Sequence, residues 1–106
     1  MPTPESKLLG ECWDYLLLKG HFVLRYNNIA VYDRARNAYR KNRYMTPGVS
    51  DLIVIPKNHT DPIFIELKSA KGRLSTDQQM FRRYCDDHAV EYEVVRSLDD
   101  LIALGL

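Results

Sequence analysis

Gly48–Gln78, GVSDLIVIPKNHTDPIFIELKSAKGRLSTDQ, is the stretch on which the reading of this chain turns. It reads as two short apolar strands, each carrying acidic residues to one place, followed directly by a helix. Asp51 opens the first strand, Asp51–Ile55, which Pro56 ends. The second, Pro62–Ser69, alternates: Ile63, Ile65 and Leu67 share one face, and Phe64, Glu66 and Lys68 share the other. Glu66 and Lys68 must then project side by side. Two charges on so apolar a strand need pairing with each other, with a metal ion or with solvent. Ser75-Thr76-Asp77-Gln78 has capping-box spacing, with Ser75 as N-cap and Gln78 at the third helical position.

Outward from this stretch, Thr3-Pro4-Glu5 predicts a helix start, and Leu8, Leu9, Cys12, Trp13, Leu16 and Leu17 form its apolar stripe until Gly20 stops it. Glu5 lies at the end of that stripe, either as a first-turn acid favoured by the helix dipole or as a site residue. Glu11 is the competing acid on the same helix. His21–Tyr26 reads as a strand and Asn27-Asn28 as a turn. Arg34, Arg36, Arg40, Lys41 and Arg43 then interleave with Tyr32, Tyr39 and Tyr44. The segment is a DNA-contacting flap or loose hairpin, or else a solvated basic loop; arginine binds phosphate bidentately and tyrosine stacks on unpaired bases. Past the capping box the helix continues through Phe81, Tyr84, Cys85 and His88; Glu91–Arg96 is a third sheet candidate, and Ser97 caps a last short helix.

At 106 residues and net charge +1, the expectation is one α/β domain, residues 1–106, with a single modest core. No apolar run approaches the ~20 residues of a membrane span, and MPTPESK lacks a signal peptide's regions, so a cytoplasmic protein is expected. Cys12 and Cys85, lacking CxxC spacing, read as reduced and buried. The three histidines show neither HxH nor HxxxH spacing, which argues against a His-based metal site.

Asp51, Glu66 and Lys68 supply what metal-assisted phosphodiester hydrolysis needs. Carboxylate oxygens suit Mg²⁺ or Mn²⁺, and a lysine orients water or stabilises charge developing at phosphorus. An E-x-K triplet alone is weak evidence. An aspartate opening a buried strand, E-x-K on the next and then a helix is moderately specific.

P-G-V-S-D, F-I-E-L-K and G-R-L-S-T-D-Q, in that order, resemble the VRR-NUC family of the PD-(D/E)xK nuclease superfamily. P-E-S-K, R-Y-N-N at Arg25–Asn28 and V-V-R-S at Val94–Ser97 also match. The resemblance implies a restriction-endonuclease-like core: a small mixed sheet flanked by helices. It implies Asp51, Glu66 and the Leu67 carbonyl as metal ligands, Lys68 as catalytic lysine, and Gln78 and Glu5 as further site residues. On this view Gln78 faces a conflict, capping its helix or serving the site but not both with one rotamer. Arg25, Arg34, Arg36, Arg40, Lys41, Arg43, Lys71 and Arg73 are the expected DNA contacts. The activity implied is that of a Mg²⁺- or Mn²⁺-dependent endonuclease of branched DNA such as a four-way (Holliday) junction. A domain standing alone at this size resembles the phage and bacterial members; the two symmetric strands of a junction and the small size predict a homodimer, with no small-molecule cofactor and no membrane. The alternatives are a fork or flap nuclease and a catalytically silent nucleic-acid-binding module.

Overall fold

The computed structural model describes residues 3–26, 31–40 and 46–106, with the side chains of 31–33 and 39–40 left aside. Helix α1 spans Pro4–Leu18; Thr3 is its N-cap, accepting from the Ser6 amide, and Pro4 occupies the first turn. The strands are β1 (Phe22–Arg25), β2 (Val31–Asp33), β3 (Ala38–Arg40), β4 (Leu52–Ile55) and β5 (Ile63–Leu67). Helix α2 (Thr76–Asp87), β6 (Glu91–Val95) and α3 (Leu98–Ala103) follow.

The main sheet has the order β1-β4-β5-β6. Its first three strands run antiparallel, while β5 and β6 are parallel and joined through α2. A parallel neighbour requires a crossover element, and α2 supplies it. This is the mixed sheet flanked by helices expected of a restriction-endonuclease-like core.

One face of the sheet carries the core. Leu52, Val54, Ile63, Ile65, Leu67 and Val95 pack against Leu8, Cys12 and Leu16 of α1 and Leu101 of α3. On the other face, Phe81 of α2 stacks edge-on against Phe64 (ring centroids 5.3 Å apart) and Tyr92 (6.0 Å). Strand β5 is therefore covered on both faces, which is why Glu66 is buried despite its charge. Cys12 and Cys85 are buried free thiols, as expected.

The helical stripes are narrower than the sequence periodicity suggests. On α1 the buried line is Leu8, Cys12 and Leu16, while Leu17, expected on it, is 48% exposed. An i, i+4 line, and not the full stripe, is what the sheet covers. Tyr84 and Ile102 are exposed for the same reason. Ser97 occupies the N-cap position of α3 but makes no side-chain cap; Asp100 instead accepts from the Arg96 amide (2.8 Å).

β2 and β3 form a separate hairpin closed by a turn at residues 34–37, where Asn37 adopts a left-handed φ of 52°. Among the described residues it packs on no other strand or helix. The loose hairpin expected here is present. The expected turn at Asn27-Asn28, and Lys41 and Arg43, lie outside the described residues. No described helix is long and apolar enough to cross a membrane.

Candidate active site

The site forms where β4 begins and β5 ends, beneath the first turn of α2. Asp51 sits one residue before β4, and its Oδ2 accepts from the Leu67 amide at 2.8 Å. Ser50, fully buried beside it, donates its hydroxyl to the Leu52 carbonyl (2.9 Å) and fixes the entry into the strand. Gly48 has φ +76°, and a Cβ there would lie 2.2 Å from the Asp77 carbonyl oxygen. Only glycine lets this loop lie directly on the first turn of α2. The backbone that presents Asp51 is thereby tied to the helix that presents Gln78.

Glu66 is the centre of the group. It is 2% exposed, and its Oε1 accepts from Gln78 Nε2 at 2.7 Å. Lys68 Nζ lies 3.9 Å from the same oxygen, with its side chain 12% exposed. Oε2 is buried with no hydrogen-bond partner among the described residues. Burial, and then the Asp51 charge, push the carboxyl from its ordinary 4.5 up to about 8, with Lys68 pulling the other way. A carboxylate held this way is costly as a lone anion, and a cation nearby would relieve it.

Gln78 corrects the expected conflict. Ser75 Oγ accepts from the Gln78 amide (3.2 Å) and Gln78 Oε1 accepts from the Ser75 amide (2.8 Å), completing the capping box. Its Nε2 donates to Glu66 in the same rotamer. An amide side chain has an acceptor at one end and a donor at the other, so one conformation serves both.

Glu5 is exposed on the first turn of α1, and its Oε1 lies 3.5 Å from the Ser69 amide, at the outer limit of a hydrogen bond. With Thr3, Ser6, Leu9, Arg25, Asp51 and Leu67 it lines a cavity of about 220 Å³. Glu11 is exposed and does not line it. Arg25 is exposed at the cavity, and Lys71 and Arg73 are exposed on the loop that follows Lys68. Arg34 and Arg36 are exposed at the hairpin turn, while the side chain of Arg40 is not described.

Sequence reasoning missed two neighbours. Ser50 lay unremarked inside the G-V-S-D motif. Tyr92, opposite Phe64 on β6, buries a hydroxyl that has no partner among the described residues; burial and then the Glu66 charge push it up. Only the pairing of β5 with β6 brings it near Glu66.

Among the described residues, no three His, Cys, Asp or Glu side chains converge closely enough to hold a metal by themselves. Two carboxylates do meet, Asp51 and Glu66, one of them with an orphaned buried oxygen. Magnesium is commonly held by one or two carboxylates, with waters and substrate phosphate completing the shell, so this donor set fits it. The histidines belong elsewhere. His21 and His59 line a cavity at the Ile63 end of β5, where His21 Nδ1 accepts from the Lys57 amide (2.9 Å).

A solved structure described as a VRR_NUC domain has TM-score 0.68 and 18% identity, covering 97% of this chain and 95% of its own. At that identity the likeness establishes the fold. No curated protein matches the chain. The family model for the VRR-NUC domain matches residues 9–99, taking in Asp51, Glu66, Lys68 and Gln78 but not Glu5. The chain belongs to the VRR-NUC domain family, a family of nuclease-type domains.

Proposed function

We propose that this chain, acting as a single domain, is a Mg²⁺- or Mn²⁺-dependent DNA endonuclease. The observation that carries the reading is Glu66: buried, beside Asp51, with one oxygen held by Gln78 and Lys68 and the other without a partner among the described residues. A buried carboxylate beside a second, half-buried one is costly to a fold and is understandable where a cation uses it.

Asp51, Glu66 and the Leu67 carbonyl would hold the ion, which supplies Lewis acidity and an acidified water when bound. Gln78 fixes the Glu66 rotamer, so the carboxylate is in place before substrate arrives. The Asp51 carboxylate is oriented by the Leu67 amide. Lys68 Nζ donates to the attacking water or to a non-bridging phosphate oxygen as charge develops there. Glu5 stands at the outer wall and contributes a further acceptor. Arg25, Lys71 and Arg73 flank the site, and Arg34 and Arg36 stand on the hairpin turn, where they would contact backbone phosphates; Arg40, Lys41 and Arg43, next in the sequence, are proposed as further phosphate contacts.

Branched DNA, a four-way junction in particular, is the proposed substrate, cut by a two-fold homodimer. A junction offers two strands in symmetric positions, and a two-fold pair of sites matches them. The family resemblance supports this choice. The test is incubation of the protein with four-way, flap and linear DNA in Mg²⁺, Mn²⁺ or EDTA, alongside Glu66→Gln, with light scattering for the dimer. Metal-dependent cutting of the junction, lost in the variant, is expected. Binding without cutting would make the chain a silent module, preferential flap cutting would change the substrate, and equal cutting of linear duplex would remove the junction preference.

A further inference from the structure

Arg96, just past the end of β6, sends one guanidinium nitrogen to three main-chain carbonyls. Its Nη1 donates to Ser69 (2.7 Å) and Gly72 (2.7 Å) and reaches Ala70 at 3.4 Å. The arginine is itself held: its amide donates to Asp100 Oδ2 (2.8 Å), and the preceding Val95 carbonyl accepts from the Lys68 amide (3.1 Å). The carbonyls belong to the turn that follows Lys68, closed by the Gly72 amide donating to Ser69 (3.1 Å). That turn runs beside the lysine. A Cβ added at Gly72 would meet Lys68 Cδ at 3.4 Å and Ser69 Oγ at 3.0 Å, so the Gly72 backbone is a wall that bounds the lysine stem on that side with room for about one further atom. Side chain and wall together leave Nζ 3.9 Å from Glu66 Oε1.

We infer that Arg96 is a positioning residue for Lys68: it locks the Ser69–Gly72 turn beside the lysine stem and so fixes where Nζ points. The inference rests on the nuclease reading above. Its physical basis is rigidity and reach: the planar guanidinium holds Nη1 among the carbonyls in a fixed plane, whereas a lysine ammonium ends a freely rotating stem and holds its three donors less firmly. A flexible lysine stem has many rotamers, and removing the wall releases them.

The full chain carries the test, with Arg96→Ala, Arg96→Lys, Gly72→Ala, Lys68→Ala and the Arg96→Ala/Lys68→Ala double variant. Three quantities are read: single-turnover cleavage of four-way DNA in Mg²⁺, DNA affinity in EDTA, and the rate at which an amine-reactive reagent modifies Lys68, by mass spectrometry. Arg96→Ala should cleave about a hundredfold more slowly, the size expected of a displaced reacting group, while DNA affinity moves far less. In the Lys68→Ala background the same substitution should cost nothing further. Lys68 should be modified faster in Arg96→Ala, with Lys7 and Lys19 unchanged. Arg96→Lys should recover only part of the rate. An equal loss in the Lys68→Ala background would mean general destabilisation and would overturn the inference, as would full recovery by lysine or unchanged Lys68 labelling. Should Arg96→Ala fail to fold, Arg96→Lys reads the same displacement; Gly72→Ala, whose Cβ would lie 3.4 Å from Lys68 Cδ, crowds the stem from the other side and should slow cleavage without speeding Lys68 labelling. A wild-type protein that cuts no DNA sinks the nuclease reading, and the Lys68 labelling then still decides the clamp.

Discussion

Glu66→Gln should make the metal-free protein more stable while abolishing its cleavage. The side chain is buried, and burial and Asp51 push its carboxyl from 4.5 up to about 8. The native state therefore keeps a proton that the unfolded chain releases above 4.5. Its stabilising effect is complete below that pH, declines as pH rises, and is gone above about 8. At about 1.4 kcal/mol per pH unit, that interval makes the ionised side chain cost the metal-free fold on the order of 3–5 kcal/mol. Glutamine never ionises, and its oxygen still accepts from Gln78, so the variant escapes the penalty. The 3.9 Å approach to Lys68 that it gives up is already counted in that interval, because the pull of Lys68 is one of the influences that leave the carboxyl at about 8. Urea unfolding in EDTA at pH 5, 7 and 8.5 checks this. The two proteins should be close at pH 5, with the variant ahead by an increasing margin toward pH 8.5. Comparing them cancels other titrating groups such as Glu93 and His21. A difference that stays flat with pH, or a variant less stable at pH 8.5, would refute the buried-carboxylate reasoning.

Metal binding should displace the Glu66 proton, so Mg²⁺ affinity should rise by up to about tenfold per pH unit below pH 8; calorimetry in buffers of different ionisation enthalpy counts that proton, and a count of zero at pH 7 would contradict it. Gln78→Ala removes both the cap and the Glu66 contact, costing about 1–3 kcal/mol and most of the cleavage, whereas Ser75→Ala should cost about 1 kcal/mol and leave cleavage within a few-fold; equal effects on cleavage would mean that Gln78 only caps. Gly48→Ala forces a Cβ into the Asp77 carbonyl at a left-handed φ and should destabilise by at least about 2 kcal/mol in urea. Removing the charge of Lys71 or Arg73 should lower the salt dependence of DNA binding by close to one counterion each, about 0.9 in the log–log slope; an unchanged slope would place that residue off the DNA path.

Much of this protein was legible because its determinants are local. Alternation along Ile63–Leu67, the Thr3 and Ser75 caps and the stop at Gly20 each depend on a few neighbouring residues, and each appears where expected. Asp51, Glu66 and Lys68 were legible too, since strand periodicity alone orders them along two strands. The chemistry of those groups was not. The elevation of Glu66 depends on α2 covering β5 and on Asp51 arriving from β4, contacts between residues far apart in sequence.

Gln78 marks the division most clearly. Its sequence position specified a capping residue and, by resemblance, a site residue, and the two roles appeared exclusive. Only the packing of α2 over β5, held close by Gly48, turns the free end of the amide toward Glu66. Glu5 and Glu11 are told apart in the same way: of the two, Glu5 lines the cavity shared with Asp51. By itself, the sequence determined the elements, their caps and the order of the acidic and basic groups, because backbone propensity and side-chain periodicity act over a few residues. Which groups share an oxygen, which lose their water and which hold one another in place was decided by tertiary structure, because burial and hydrogen-bond partnership exist only once the strands and helices are packed.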